Sequence, residues 1–359
     1  MARQGSLWTV LVYLALLLFV ATAALFSARY IVSRPWTARE RVQAICVLDR
    51  IYAIGGVTEA RGVVDEVLEI DPGKRRMRMV GRIPPPRLGA SAAEWKNRIY
   101  LLGGLAGDRY LDQIVAFDPI SSESRVVGHL PSPRAYGGAT CWKGKLYYVG
   151  GWDGEHQLDE IVAFDTETGS VRLVGRLPSP REFVAVAALE DRLYVIGGEG
   201  KDGRLAEILE FDLQRGELLR RGKLPIPMSR CAATVLGDEI YVAGGWAGKP
   251  LDELLMIDTS SDQLEIVTLG QLPHPMADPA LVALGEKLYV IGDEDPELKR
   301  QIGVFELDPL TGLSENLRMR SFLRWWGLAF RPARTRSRIR LSLVKGLSLL
   351  GSSGVTSTV

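Results

Sequence analysis

The segment Leu146-Tyr147-Tyr148-Val149-Gly150-Gly151 occurs, with small changes, six times in this sequence. The copies are IYAIGG, IYLLGG, LYYVGG, LYVIGG, IYVAGG and LYVIGD, which begin at Ile51, Ile99, Leu146, Leu193, Ile240 and Leu288. Successive copies start 47 or 48 residues apart. A fixed period of this length indicates a repeat protein in which each unit is one supersecondary element.

Each unit contains further short apolar runs around this segment. In the third unit, a run of small residues at Gly137–Trp142 precedes it, and the run Ile161–Asp165 follows it. Another apolar stretch then leads to Leu-Pro-Ser-Pro-Arg at 177–181. Val, Ile and Tyr favour strands, whereas Gly, Pro and Asp interrupt them. Each unit is therefore predicted to form four short strands.

One four-stranded sheet cannot bury both of its faces, but sheets packed radially around an axis can. The sequence thus predicts an all-β propeller with six four-stranded blades. A seventh blade is the alternative, because Leu323–Gly327 resembles another inner strand and Arg338–Lys345 alternates apolar and polar residues. The N-terminal segment Tyr30–Val32 would then supply an outer strand.

The repeated Gly-Gly after a tyrosine-containing strand, together with the Leu-Pro-x-Pro-Arg element, resembles the kelch repeat. The resemblance covers residues 39–320. The sixth unit departs from the pattern with Gly292-Asp293, and Met228 and Met276 replace the arginine of the last two units. The resemblance implies a kelch-type β-propeller.

Charge is distributed unevenly along the 359 residues. Residues 1–36 hold three basic residues and residues 318–359 hold nine, and neither segment contains an acid. Residues 37–317 hold 32 basic and 43 acidic residues. We therefore expect a linker at 29–38, an acidic propeller at 39–320 and a basic tail or partial extra blade at 321–359. An acidic surface argues against nucleic acid as a partner of the propeller.

Residues 4–28 carry no charge, and residues 7–26 are almost wholly apolar. A helix of this length spans a bilayer core. Residues 1–28 are therefore predicted to be a hydrophobic helix that anchors the chain in a membrane, or a cleaved signal segment, since Ala21-Thr22-Ala23 has the form of a cleavage site. The cleavage-like site favours a periplasmic or extracellular propeller. Four arginines between residues 29 and 41 favour a cytoplasmic one.

Four arginines occupy equivalent positions, thirteen residues before the repeated tyrosine, and they are Arg39, Arg87, Arg134 and Arg181. The alternation of strand direction places these connections and the loops after Gly-Gly on the same face. Guanidinium groups in such a ring suit a carboxylate or a phosphate, and in kelch domains that bind peptides the matching arginine lines the pocket. Alternatively, each arginine clamps an acid of a neighbouring loop, for example Asp112, Asp159 or Asp252.

Aromatic residues are expected on the same face. Trp152 and Trp246 follow Gly-Gly directly in the third and fifth units, and Tyr136 and Phe183 lie in adjacent connections. Aromatic side chains beside arginines can anchor a peptide or stack on a sugar ring. Packing between blades is the alternative role.

Two functions follow from these residues. The first is a module that binds a protein or an acidic glycan through the arginine and aromatic face. The second, implied by resemblance to exported kelch propellers that epimerise sialic acid, is a sugar-modifying enzyme. It requires a carboxylate beside the arginines, such as Glu40, Glu182 or Asp278. No catalytic residue is singled out, and we predict neither a metal site nor a cofactor.

Overall fold

The computed structural model describes residues 38–261, 263–294, 302–309, 314–317 and 319–321. Those residues form β-strands, turns and loops and contain no α-helix. The strands are grouped into six antiparallel blades in which chain order runs from the innermost strand to the outermost.

Blades 1 to 3 each contain four strands. In order from the axis outwards they are Gln43–Val47, Arg50–Ile54, Glu66–Asp71 and Arg76–Arg82 in blade 1; Ser91–Trp95, Arg98–Leu102, Gln113–Asp118 and Glu123–His129 in blade 2; and Gly138–Trp142, Lys145–Val149, Glu160–Asp165 and Val171–Arg176 in blade 3.

Blades 4 to 6 repeat the arrangement. Their strands are Ala185–Leu189, Arg192–Ile196, Glu207–Asp212 and Leu218–Lys223 in blade 4; Ala232–Leu236, Glu239–Ala243, Leu251–Asp258 and Glu265–Met276 in blade 5; and Ala280–Leu284, Lys287–Glu294, Ile302–Leu307 and Ser314–Asn316 in blade 6. In blades 1, 2 and 4 the loop after Gly-Gly contains a two-stranded hairpin, formed by Val57–Thr58 with Gly62–Val63, Leu105–Ala106 with Arg109–Tyr110, and Glu199–Gly200 with Gly203–Arg204.

The hydrophobic core is divided into six clusters, one between each pair of neighbouring blades. The cluster between blades 6 and 1 includes Val42 and Ile51 from blade 1 and Val282 and Tyr289 from blade 6. Blade 6 therefore packs directly on blade 1 and closes the ring. The prediction of a six-bladed all-β propeller is confirmed, and the alternative of seven blades is wrong.

The chain closes the ring a second time after blade 6. Leu317 and Met319 are buried in the core between blades 6 and 1. Arg320–Ser321 then pairs in parallel with the outer strand of blade 1, opposite Arg76 and Met77. The C-terminal end of the propeller thus adds a fifth strand to its first blade.

Backbone pairing joins the connection that enters a blade to the loop that follows Gly-Gly in the same blade. Ala135 pairs with Trp152 in blade 3, and Ser229 pairs with Trp246 in blade 5. These connections and loops lie on one side of the propeller, as the alternation of strands predicts. We call this side the Gly-Gly face.

No helix of the described residues is long and apolar enough to cross a membrane. The predicted N-terminal helix at 1–28 and the basic tail beyond residue 321 lie outside the described residues.

Candidate functional site

The four arginines predicted to bind a ligand are buried inside the blades. Their exposed fractions are 0% for Arg39, 5% for Arg87, 1% for Arg134 and 0% for Arg181. Buried guanidinium groups are stable only where other polar groups satisfy them. Their partners therefore define what these arginines do.

Three of the arginines pair with a glutamate at the start of the third strand of their own blade. The distances between nitrogen and carboxylate oxygen are 2.5 Å for Arg39 and Glu66, 2.8 Å for Arg134 and Glu160, and 2.9 Å for Arg181 and Glu207. Arg39 and Arg181 also donate to the carbonyl oxygens of Gly55 and Gly197, the first glycines of the Gly-Gly pairs. Arg39 and Arg181 thus fasten the connection that enters their blade to its second and third strands, and Arg134 fastens its connection to the third strand.

The clamp alternative therefore describes the contacts, but the acids predicted for it are wrong. Asp159 instead pairs with Arg176 at 2.5 Å, and Asp112 lies 3.1 Å from His129. The actual partners come one residue later, where the strand begins and its side chains alternate between the two sides of the sheet.

Arg87 is the clamp arginine without a carboxylate. Its guanidinium group donates to the carbonyl oxygens of Gly103 and Pro84 and to the side chain of Gln113, which occupies the position of Glu66, Glu160 and Glu207. Burial, together with the nearby charge of Arg109, lowers the pKa of Arg87 to about 10. Blade 2 therefore buries a cation among neutral acceptors.

We expect Gln113→Glu to stabilise the propeller. The new carboxylate would accept the hydrogen bond that Gln113 now accepts, and a hydrogen bond to a charged group contributes about 1.5–3 kcal/mol against about 1 kcal/mol for a neutral one. The measurement is the urea midpoint of unfolding. Glu207→Gln is the matched control in blade 4 and should be destabilising; a lower midpoint for Gln113→Glu would contradict the clamp.

The clamp position of the six blades is occupied by Arg39, Arg87, Arg134, Arg181, Met228 and Met276. The opening of the central channel on the Gly-Gly face is formed by one residue from each blade, two positions after the clamp position. We call these six residues the mouth, and they are Arg41, Gly89, Tyr136, Phe183, Arg230 and Asp278. All six have a left-handed backbone, with φ between 53° and 61°. This conformation is uncommon for residues with a Cβ atom, and here it recurs at all six positions around the opening of the channel.

Hydrogen bonds between blades hold the mouth backbone. The N–H group of Tyr136 donates to the carbonyl of Gly89 at 2.7 Å, and Phe183 donates to Tyr136 at 2.6 Å. Arg230 donates to Phe183 and Asp278 to Arg230, each at 3.0 Å. These four hydrogen bonds link the mouth backbone from blade 2 to blade 6, and the side chains that this backbone presents differ from blade to blade.

The mouth has an aromatic side. The rings of Tyr136 and Phe183 lie 4.9 Å apart between centroids. The Tyr136 ring covers Gly89, because a Cβ atom at Gly89 would lie 2.3 Å from this ring. The guanidinium of Arg230 also contacts the Phe183 ring, at 4.3 Å from its centroid. Half-buried aromatic rings at an opening provide apolar area for a ligand.

The other side of the mouth is charged. Asp278 lies 3.3 Å from Arg41 and 3.4 Å from Arg230, so two guanidinium groups share one carboxylate. Burial raises the pKa of Asp278 above its ordinary value, although both arginines favour its charged form. Arg41 is 40% exposed and is the most accessible member of this group.

A groove continues from the charged side over blades 5 and 6. It has a volume of about 460 Å³, similar to the 440 Å³ of the channel. Trp246, Pro250 and Pro275 give it apolar walls, and it shares Arg41, Arg230 and Asp278 with the mouth. Mouth and groove therefore form one continuous concave surface.

A family model fits the chain over most of the propeller. The model of the KLHDC2/KLHL20/DRC7 kelch-repeats domain matches residues 22–174 and 169–293. This chain belongs to the kelch-repeat family. No curated protein shows a significant match to the sequence. Kelch propellers are typically protein-interaction modules.

The structure brings together only some of the predicted site residues. Tyr136 and Phe183 lie at the mouth of this kelch propeller, and Trp246 lines the groove. Trp152 is not among the residues that line the channel or the groove. It lies in a blade 3 loop where its backbone pairs with Ala135 and Gln157.

The sequence analysis missed Arg41 and Arg230. The sequence contains a pattern that could have found them, because the six mouth positions each precede the repeated tyrosine of the kelch repeat by eleven residues. Unlike the clamp series, this series contains two arginines, an aspartate, two aromatic residues and a glycine. This variation between otherwise similar repeats distinguishes the mouth series from the clamp series.

Proposed function

We propose that this chain binds a protein ligand through the mouth and the groove of its kelch propeller. The observation that carries the proposal is the mouth itself, where one rigid backbone conformation recurs six times with different side chains. Loops held by a rigid scaffold are where binding residues concentrate in folded proteins. A continuous surface of this extent suits a peptide segment or a protein loop.

The arrangement offers the groups that anchor protein interfaces. Aromatic residues and arginines supply most of the binding energy in such interfaces, especially when they lie in a partly enclosed pocket. Phe183 and Trp246 supply apolar area, and Arg41 and Arg230 supply charged donors. An acidic glycan has less support, because the four arginines predicted for it donate to groups within their own blades.

The alternative of a sugar-modifying enzyme loses the arginine pocket on which it depended. Arg87, Arg134 and Arg181 are buried, and the carboxylates beside Arg134 and Arg181 are Glu160 and Glu207, their clamp partners. Asp278 is the carboxylate beside arginines at the mouth, but it is held by two of them. No observation favours a reaction at this surface over binding.

Phe183→Ala and Trp246→Ala are expected to weaken ligand binding at least tenfold each. Removing an anchor ring from an interface costs about 2 kcal/mol or more, and tenfold corresponds to about 1.4 kcal/mol. Affinity would be measured by biolayer interferometry with a peptide ligand selected on the immobilised full chain. Lys145→Ala, at an exposed position on the opposite face, should leave affinity unchanged; equal effects of all three changes would contradict the proposal.

We propose further that residues 1–28 anchor the chain in a membrane and that the propeller is exported. The uncharged run of residues 4–28 supports the anchor, and the cleavage-like Ala21-Thr22-Ala23 supports export. Removal of residues 1–28 is expected to move the protein from the membrane fraction to the soluble fraction with its melting temperature unchanged. A full chain that fractionates as soluble with its N-terminus intact would contradict the anchor.

A further inference from the structure

We infer that the protein ligand inserts a cationic side chain, a lysine or an arginine, between Glu182 and Glu199 beside Trp246. The inference rests on the proposed function and names the chemistry that the surface recognises. It differs from the acidic ligand that the sequence predicts, because the arginines behind that prediction are buried.

Glu182 and Glu199 form a pair of carboxylate residues on the Gly-Gly face of blade 4. Their backbones pair with each other through hydrogen bonds of 2.9 and 2.8 Å. Gln157 of blade 3 donates its amide to Glu182 at 3.3 Å and to the Glu199 carbonyl at 3.0 Å. Ser229 of blade 5 donates to the Glu199 carboxylate at 3.2 Å. Neighbouring blades therefore hold both acids in place from either side.

The charge of this pair is compensated only in part within the described part of the chain, because the charge of Arg230 acts on Glu182 from beyond ion-pair distance. No ion pair joins Glu182 or Glu199 to a lysine, an arginine or a histidine there. Both residues are half-buried, and burial raises the pKa of Glu182, with the charge of Glu199 adding to the increase. A ligand cation would reduce the repulsion between two carboxylates that have no direct ion-pair partner.

The same blade position carries tryptophan on both sides of the pair. Glu199 follows Gly-Gly in blade 4 as Trp152 does in blade 3 and Trp246 does in blade 5. Gln157 pairs with Trp152, and Ser229 pairs with Trp246, so the residues that hold the two acids are backbone partners of the two tryptophans. Glu199 and Trp246 line the groove together. Indole faces attract cations, and carboxylates add directed hydrogen bonds to them.

The charges of the adjoining surface also favour a cation over an anion. The two arginines of the mouth already share Asp278, and an anionic ligand group would have to displace this carboxylate. Glu40 adds another acid to the groove. Mouth, groove and Glu182 together contain two arginines and four acids. These residues are Arg41, Arg230, Glu40, Glu182, Glu199 and Asp278.

The test is selection of a phage-displayed library of random heptapeptides on the full chain, held in a non-ionic detergent. We expect the recovered peptides to be enriched in lysine or arginine. A recovered peptide should bind Glu182→Gln and Glu199→Gln at least fivefold more weakly, with unchanged melting temperatures. Glu155→Gln is the matched control, because Glu155 is exposed on the neighbouring blade 3 loop. It should bind as the parent chain does.

The outcomes separate the inference from the proposed function. Peptides that are lost with Phe183→Ala and Trp246→Ala, but are acidic or indifferent to Glu182→Gln and Glu199→Gln, would overturn the cationic ligand and leave the binding face intact. Peptides that still bind Phe183→Ala and Trp246→Ala, or no enrichment over a surface without protein, would overturn the proposed function and with it the inference.

Discussion

Arg181→Ala is expected to lower the free energy of unfolding by about 3–5 kcal/mol, because it removes two hydrogen bonds of a buried charged group that contribute about 1.5–3 kcal/mol each; Glu207 keeps its ion pair with Arg220. Arg181 is fully buried, lies 2.9 Å from Glu207 and donates to the carbonyl of Gly197. Its removal leaves a cavity and deprives a connection between two blades of its attachment. Thermal unfolding should show a decrease of about 10 °C, since 1 kcal/mol corresponds to about 2–4 °C in a domain of this size.

Arg181→Met is the control that separates charge from packing. Met228 occupies the same position in blade 5 and is buried, so the position accepts a methionine side chain. We expect Arg181→Met to cost less than Arg181→Ala, because the methionine fills part of the space. A melting temperature within 1 °C of the parent value for both variants would show that the clamp contributes little stability.

Among substitutions that add one methyl group at the junction of blades 3 and 4, Gly150→Ala is expected to be the most destabilising. Gly150 has a φ of +64°, and an added Cβ atom would lie 2.4 Å from the backbone carbonyl oxygen of Arg181. The left-handed conformation costs about 1–2 kcal/mol for a residue with a Cβ atom. The clash adds about 1–3 kcal/mol, because neither backbone can move without breaking the hydrogen bond from Gly151 to Arg181.

Gly169→Ala isolates the backbone contribution. Gly169 has a φ of +70°, but no atom lies within 4 Å of its added Cβ atom. Chemical unfolding of the two variants should therefore differ by the cost of the clash, with Gly150→Ala the less stable. Equal losses would indicate that the Gly-Gly pair serves only backbone conformation and does not maintain the close approach between blades.

The fold could be predicted because its signal is repeated. Each copy of the tyrosine strand and each Gly-Gly pair specifies the same local structure, and six copies at one period indicate a ring of blades. The sequence left seven blades as an alternative, since segments after residue 321 resemble parts of a repeat. Packing of Val282 and Tyr289 on blade 1 excludes another blade, and no local pattern in the sequence reveals a contact between its first and last repeats.

Only part of the site was predicted, because a residue that recurs in several repeats can serve either the fold or a ligand. Arg39, Arg134 and Arg181 recur because each attaches the entering connection of its blade to the third strand. From the sequence, this recurrence could indicate either a ring of ligand-binding groups or a set of clamps, and the arginines were predicted as ligand-binding residues. The mouth residues Arg41 and Arg230 do not recur in that way, and their grouping with Asp278 depends on a closed ring. Burial separates the two series, and burial depends on the tertiary structure.

The central claim is that the clamp position builds the propeller whereas the mouth position, two residues later, binds the ligand. Arg181 and Phe183 lie on the same connection and test it most directly. Melting temperature and peptide affinity would be measured for Arg181→Met and Phe183→Ala of the same full chain. We predict a lower melting temperature with unchanged affinity for Arg181→Met, and at least tenfold weaker binding with an unchanged melting temperature for Phe183→Ala. Weaker binding by Arg181→Met at the parent melting temperature, with full affinity retained by Phe183→Ala, would contradict the claim.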